Sequence, residues 1–359
     1  MGKTRPTSYS VDMDTRASPA GPVLSVVVPC HDEADGLPTL HARLSTVMNA
    51  LALSWELVCV NDGSTDATLA VLRRLRAADA RMTVINLSRN FGKEAALTAG
   101  LDHARGEAVI VIDADLQDPP ELIPELVARW RDGFDVVYAQ RRRRDGDGWL
   151  KRATARGFYR LMSRVGGVRL PRDVGDFRLM SRRATDAVLT LREHHRFMKG
   201  IFAWVGFPSV AVPYDRAARE AGSSSWSYWR LWNLALEGIT SFTTAPLRIA
   251  TYVGLLVALV ALLYGVFLIV HTIVMGASVP GYPSLMTVVL FMGGVQLMTL
   301  GILGEYVGRV FNETKRRPLY LLERVLPSGF HGDHAGGEPA EAIVPHHAEF
   351  DAADRRQEG

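Results

Sequence analysis

The chain is poor in cysteine. It has two, Cys30 and Cys59, in 359 residues. Two thiols build no disulfide framework, and no Cys/His spacing forms a zinc site. Both lie in or beside apolar, strand-like runs, where a thiol serves as a small buried hydrophobe. Charge bias is also missing. The 41 Lys and Arg against 38 Asp and Glu leave a net charge of +3. Nucleic acid is therefore not an expected partner, since chains that bind it carry a strong basic bias. Residues 1–22 lack the apolar core of a secretory signal and read as a disordered tail. No G-x-G-x-x-G follows the first apolar run and no Walker lysine loop occurs, so a glycine cradle for phosphates is excluded. Finally, no Asp, Glu, Lys or Arg occurs from Ile249 to Gly304. That run is more than twice the ~20 residues a helix needs to cross a bilayer.

Turn residues, Gly276-Ala-Ser-Val-Pro-Gly-Tyr-Pro283, divide this uncharged run. Two transmembrane helices are expected, 248–275 and 284–308. Arg230 lies before the first and Arg248 at its very start, and Arg309, Lys315, Arg316 and Arg317 follow the second. The connecting loop has no basic residue, so both ends are expected in the cytoplasm. The expected location is the inner (cytoplasmic) membrane, multi-pass, with the large N-terminal region inside the cell. Residues 226–247 begin Trp226-Ser-Tyr-Trp-Arg-Leu-Trp232, a composition suited to an amphipathic helix at the membrane interface. Residues 309–327 are expected as a cytoplasmic juxtamembrane segment and 328–359 as a second disordered tail. Small residues such as Gly293 and Gly294 could pack hairpins into a homo-oligomer.

Residues 23–225 read as one α/β domain. Apolar strand patterns begin at Leu24, Trp55, Met82 and Ala108, alternating with helical patterns. That alternation predicts a doubly wound sheet with parallel strands. Asp66 is expected to cap the helix that runs to Ala78. Three strand ends carry acidic turns with Gly or Pro: Pro29-Cys-His-Asp-Glu33, Asn61-Asp-Gly-Ser-Thr-Asp66 and Asp113-Ala-Asp-Leu-Gln-Asp-Pro-Pro120. Open sheets bind ligands at the carboxyl ends of their strands. Three acidic turns there point to one shared crevice lined with carboxylates.

The Asp113-Ala-Asp115 pair carries the most information. Two Asp in a turn often serve only the turn. At the end of a buried strand they also suit a hard divalent cation bridging a diphosphate. With no glycine cradle, an acid-rich site reaches anionic oxygens through a metal. A nucleoside diphosphate with Mg²⁺ or Mn²⁺ is the expected occupant.

Taken together, Val28-Pro-Cys-His-Asp-Glu33, Val60-Asn-Asp-Gly-Ser-Thr-Asp66, Asn90-Phe-Gly-Lys93 and Asp113-Ala-Asp-Leu-Gln-Asp-Pro-Pro-Glu121 resemble the inverting family 2 glycosyltransferases of GT-A fold. More narrowly, the chain is similar to the polyprenyl-phosphate glycosyltransferases, of the bactoprenol glucosyltransferase and dolichol-phosphate mannose synthase type. Gly175-Asp-Phe-Arg-Leu-Met180, His195-Arg-Phe-Met-Lys-Gly200 and Gly304-Glu-Tyr-Val-Gly-Arg309 fit the bacterial branch with two membrane spans. The resemblance implies Pro29 and Glu33 in the nucleobase pocket and Asp62 on the base or ribose. It implies Lys93 and Asp113 near the nucleotide, and Asp113 and Asp115 on the metal with Gln117 assisting. Arg141 and Arg219 would reach phosphate groups. Arg152 lies in a basic run that would grip the lipid phosphate or meet anionic headgroups. Asp176 would be the catalytic-site carboxylate, with Asp173 as competitor. One departure is Ser225, which stands where relatives often carry a lysine.

The implied reaction moves a single sugar from a nucleotide-sugar donor to polyprenyl (undecaprenyl) phosphate with inversion. UDP-glucose is the preferred donor and GDP-mannose the alternative. A flippase for the product is a further implied partner. A processive polysaccharide synthase is disfavoured, because no Gln-x-x-Arg-Trp motif occurs. A non-catalytic membrane adaptor is disfavoured by the intact Asp62, Asp113 and Asp115.

Overall fold

The structure is a computed structural model and describes residues 21–142, 174–194, 196, 198–215, 245–275 and 281–329. Its centre is a parallel block of four strands: β1 (Leu24–Cys30), β2 (Trp55–Asn61), β3 (Met82–Leu87) and β4 (Ala108–Val111). Every residue of these strands is buried, as expected of a sheet covered by helices on both faces. Side chains alternate between the faces. Val26 and Val28 pack with Leu40 of α1 (Leu37–Ala50), Leu72 of α2 (Thr68–Ala78) and Leu126 of α4 (Ile123–Arg131). Val27 packs on the other face, with Leu97 of α3 (Lys93–His103). A single 3₁₀ turn, Pro120–Leu122, precedes α4. The helix over 68–78 has Ala67 in the cap position, and Asp66 Oδ1 accepts from the Thr68 amide at 2.9 Å.

The sheet has eight strands in the order β7-β5-β6-β4-β1-β2-β3-β8. It is doubly wound as expected, but mixed rather than parallel throughout. β6 (Val174–Ser181) lies antiparallel between β4 and β5 (Val136–Arg141), and β7 (Ser209–Tyr214) runs parallel to β5. Two short helices, α5 (Arg182–Thr190) and α6 (Met198–Trp204), join the α3 face.

Two long helices follow, α7 (Ala245–Met275) and α8 (Tyr282–Thr314), and they contact each other. Within α7, Ala250–Phe267 is long and apolar enough to cross a membrane. Large apolar side chains stand exposed on both helices, among them Leu255, Leu262, Ile273, Leu297 and Leu303. The helices extend beyond the expected spans, α8 by a turn and more past residue 308. The segment expected as juxtamembrane, 309–327, then returns to the sheet of the N-terminal domain. β8 (Leu322–Leu326) pairs antiparallel with β3. Leu326 packs on one core face while Leu322 and Val325 pack on the other. Tyr320 Oη donates to Asp102 Oδ2 at 2.8 Å, and Glu313 Oε2 accepts from the His194 amide at 3.1 Å. The expected interfacial stretch before Ala245 and the two tails lie outside the described residues, apart from the ends of those regions included above.

Candidate active site

β1 is flanked by β2 on one side and β4 on the other, and the strands continue outward from it in both directions. Such a switch point opens a crevice at the carboxyl ends of the strands. Pro29 lies at its mouth, inside β1. Val27 O accepts from the Ile112 amide on the β4 side, while Cys30 O accepts from Asp62 N on the β2 side. Pro29, two residues after Val27, faces the β4 side, where the ladder has already ended at Val111. A residue without an amide hydrogen is tolerated there. The pocket in this crevice is lined by Pro29, Glu33, Asp62, Lys93, Asp113 and Asp115, together with His31 and Asn90.

The loops after β1 and β2 are knitted by their own acidic residues. Asp32, at φ +53°, accepts from Thr65 N at 2.8 Å, and Asp66 Oδ2 accepts from Ala34 N at 3.2 Å. These two carboxylates shape the turns, while Glu33 and Asp62 face the pocket. Asp62 is buried. Its Oδ1 accepts from Phe91 N at 2.7 Å and its Oδ2 from Gly92 N at 3.0 Å. Beside it Gly63 has φ +58°, and a Cβ there would lie 2.3 Å from Asn90 N. The Asp62-Gly63 pair therefore fixes the segment Asn90–Gly92, and with it the first residue of α3, Lys93.

Lys93 joins two further strand ends. The β4–β6 register pairs Val111 with Arg178; extended two residues, it sets Asp113 opposite Asp176. An antiparallel strand brings its start, not its end, to the crevice, so Asp176 arrives from the beginning of β6. The Lys93 ammonium lies 2.7 Å from Asp113 Oδ1, 2.8 Å from Asp113 Oδ2 and 2.5 Å from Asp176 Oδ2. Asp176 Oδ1 is buried and has no hydrogen-bond partner among the described residues, which costs free energy until a ligand or water satisfies it. Burial disfavours the charged carboxylate of Asp176, but Lys93, Lys199 and Arg178 outweigh it and hold its pKa below the ordinary value. Burial likewise works against the charged Lys93, and the two carboxylates more than reverse it. Next to Lys93, burial first and the charge of Asp176 second push the Glu94 carboxyl up to about 7.

Asp115 combines both readings of the Asp pair. Its Oδ1 accepts from Gln117 N at 3.1 Å across Leu116, which has φ +57°. One oxygen thus serves the turn while the residue also lines the pocket. Gln117 is buried, and its backbone amide is the group that meets Asp115. Among the described residues no three His, Cys, Asp or Glu side chains converge to hold a metal by themselves. The donor set still fits one. Mg²⁺-like cations bind through one or two carboxylates, with substrate phosphates supplying further oxygens. Asp113 and Asp115 offer that pair of hard ligands at the pocket wall.

Arg141 ends β5. Its Nε donates to Tyr214 Oη at 3.4 Å, and Tyr214 donates to Asp118 Oδ1 at 2.5 Å. Burial and that hydrogen bond push the Tyr214 phenol up to about 12. The Arg141 guanidinium thereby rests over Gly175, one residue from Asp176. Asp173, Arg152 and Arg219 lie outside the described residues, as does Ser225. The sequence reading did not single out His31, Asn90 or Glu94 as site residues. Each lay inside or beside a quoted motif, and only the fold shows which of those side chains turn inward.

The chain matches the family described as Glycosyl transferase family 2 over residues 25–189 and the one described as GtrB C-terminal hairpin over residues 245–310. It is 52% identical over 299 residues to an uncharacterized glycosyltransferase of Synechocystis sp., covering 83% of this chain and 94% of that one. It is 48% identical over 302 residues to a prophage bactoprenol glucosyl transferase homolog of Escherichia coli, covering 84% and 99%. Among solved structures, glucosyl-3-phosphoglycerate synthase from Mycobacterium tuberculosis aligns at TM-score 0.41 and 21% identity, covering 61% of this chain and 78% of that one. At that distance the structural likeness carries no argument.

Proposed function

The chain belongs to glycosyltransferase family 2, and from that premise we propose that it transfers glucose from UDP-glucose to undecaprenyl phosphate at the inner face of the cytoplasmic membrane. The observation that carries this reading is one chain joining a carboxylate crevice to an apolar hairpin. Asp113 and Asp115 face the same pocket as Pro29, Glu33 and Asp62. The helix pair supplies the long apolar surface that a polyprenyl acceptor requires of its enzyme. The likeness to a bactoprenol glucosyl transferase homolog over nearly its whole length supports the sugar and the lipid.

The chemistry asks little of a base. A phosphate monoester is largely ionised at neutral pH, so its oxygen is already a nucleophile. That oxygen attacks the anomeric carbon from the face opposite the nucleoside diphosphate. A new C–O bond forms, the bond to the diphosphate oxygen breaks, and its electron pair leaves with UDP. The anomeric centre inverts. Alignment and charge stabilisation are the main tasks. Glu33 and Asp62 shape the donor end of the pocket. Asp113 and Asp115 would hold Mg²⁺ or Mn²⁺, which supplies positive charge against the departing diphosphate. Asp176, steadied by Lys93, orients the acceptor, and Arg141 stands beside it as a cation for the acceptor phosphate. Arg152, Arg219 and Asp173 belong to the same reading as further phosphate and carboxylate groups. Both α7 and α8 would cross the bilayer, with the catalytic domain on the cytoplasmic side.

The test uses the purified full chain in detergent with undecaprenyl phosphate, a mixture of UDP- and GDP-sugars, and Mg²⁺ or EDTA. Mass spectrometry of the lipid is expected to show the gain of one hexose, from UDP-glucose only, and only with the metal. A folded protein that modifies no lipid with any donor would refute the proposal.

A further inference from the structure

Lys93 does more than line the donor pocket. Its position is built from three strand ends. Asp62 at the end of β2 grips the Phe91 and Gly92 amides, which sets the start of α3. From there the ammonium spans Asp113, beyond β4, and Asp176, near the start of β6. Two carboxylates facing each other in a half-buried cleft repel, and a shared cation removes the repulsion. The ammonium lies 2.7 and 2.8 Å from the two Asp113 oxygens; it donates to Oδ2, and Oδ1 has no hydrogen-bond partner among the described residues. That edge of the carboxylate is the one a divalent cation would also use. A second cation could not take it without bringing like charges together at close range, where a partly buried setting screens them poorly.

We propose that Lys93 is the resident counter-ion of the donor-free site. It holds Asp113 and Asp176 together until the nucleotide sugar arrives, and then yields Asp113 to the divalent cation that accompanies the diphosphate. Lys93 is thus a positioning residue, and the inference rests on the metal-assisted reading of the site given above. Its consequence is ordered loading. Without the nucleotide, metal must compete with the ammonium and binds weakly. With the nucleotide, diphosphate oxygens add ligands and the exchange becomes favourable. Metal and nucleotide therefore assist each other's binding, and by linkage the assistance is equal in both directions.

The experiment is Mn²⁺ binding to the full chain in detergent, followed by electron paramagnetic resonance with and without UDP. In the absence of UDP, Lys93→Gln is expected to bind Mn²⁺ on the order of tenfold more tightly than wild type. Lys93→Arg keeps the cation and is expected to behave as wild type. The ratio of Mn²⁺ affinities with and without UDP shrinks in Lys93→Gln by the same factor. Asp113→Asn is expected to lose the tight binding, which locates the ion. Circular dichroism and thermal melting check that each variant is folded. Equal or weaker Mn²⁺ binding by folded Lys93→Gln overturns the proposal, and so does unimpaired binding by Asp113→Asn. Wild type decides the matter even if a variant fails to fold, because tight Mn²⁺ binding without UDP excludes a resident competitor. Sugar transfer is read separately, from the mass of the lipid. A protein that transfers glucose but shows none of these differences loses this inference and keeps the proposed function.

Discussion

At the scale of single residues, the acidic side chains divide by what their oxygens touch. Asp32 and Asp66 bond backbone amides of neighbouring loops. Asp113 and Asp115 face the pocket. Asp115→Ala is predicted to abolish lipid glucosylation, a loss of about 100-fold or more, while the melting temperature stays near that of wild type. Retained turnover in the assay by lipid mass would remove Asp115 from the metal site. Asp62→Ala is predicted to fail for a different reason, since it frees the two amides that set Lys93. Transfer falls although no ligand contact of Asp113 or Asp115 has changed, and hydrogen exchange at Phe91 and Gly92 speeds up. Asp79 offers a pH test away from the site. Burial favours its neutral form, yet hydrogen bonds from Arg81 and His41 bring its pKa down to about 2. A carboxyl depressed in the folded state stabilises fully above its unfolded pKa of about 4 and loses that contribution as pH falls towards 2. The melting-temperature gap between wild type and Asp79→Asn is predicted to be constant from pH 7 to 5 and to close between pH 4 and 2. The acidic pair at residues 113 and 115 was legible because its strand is short, apolar and followed by prolines. The bridge from Lys93 to Asp176 was not, because it joins residues 83 positions apart through a strand pairing that leaves no local mark.

At the scale of elements, alternation of strand and helix patterns was enough to place the starts of β1 to β4 and the end of α2. The strand β1 runs on through Pro29 because its β4 neighbour has ended, a circumstance no window around Pro29 contains. The direction of β6 was also hidden, since the sequence Val174–Ser181 suits either orientation. The contact between α3 and β1 is close. A Cβ on Gly100 would lie 2.3 Å from Val27 Cγ1, and Val27 is wholly buried in the sheet. Gly100→Ala is predicted to destabilise the folded domain by about 1–3 kcal/mol, seen as a lowered melting temperature of the full chain in detergent. An unchanged melt would show that α3 shifts outward freely.

At the scale of the whole molecule, the apolar hairpin was legible from charge alone, while the return of the chain to the sheet was not. Leu322 to Leu326 is a short strand of mixed polarity and carries no strong pattern by itself. Its place is fixed by the open edge of β3 and by side chains far away. Arg76 donates to Pro327 O at 2.6 Å and Asn86 to Glu323 Oε2 at 2.7 Å. Ending the chain after Thr314 is predicted to leave β3 as an exposed edge, a known route to aggregation. Such a protein would elute as aggregate or melt well below the full chain, and normal behaviour would show β8 to be dispensable.

The return of β8 also sets an order of manufacture. Seven strands of the catalytic sheet precede the hydrophobic helices and one follows them. A ribosome therefore releases a nearly finished domain, then both apolar helices, and only then the strand that closes the sheet's edge. Completion of the sheet waits on synthesis of the hairpin, so the finished sheet and the finished hairpin belong to the same late step in the life of the chain.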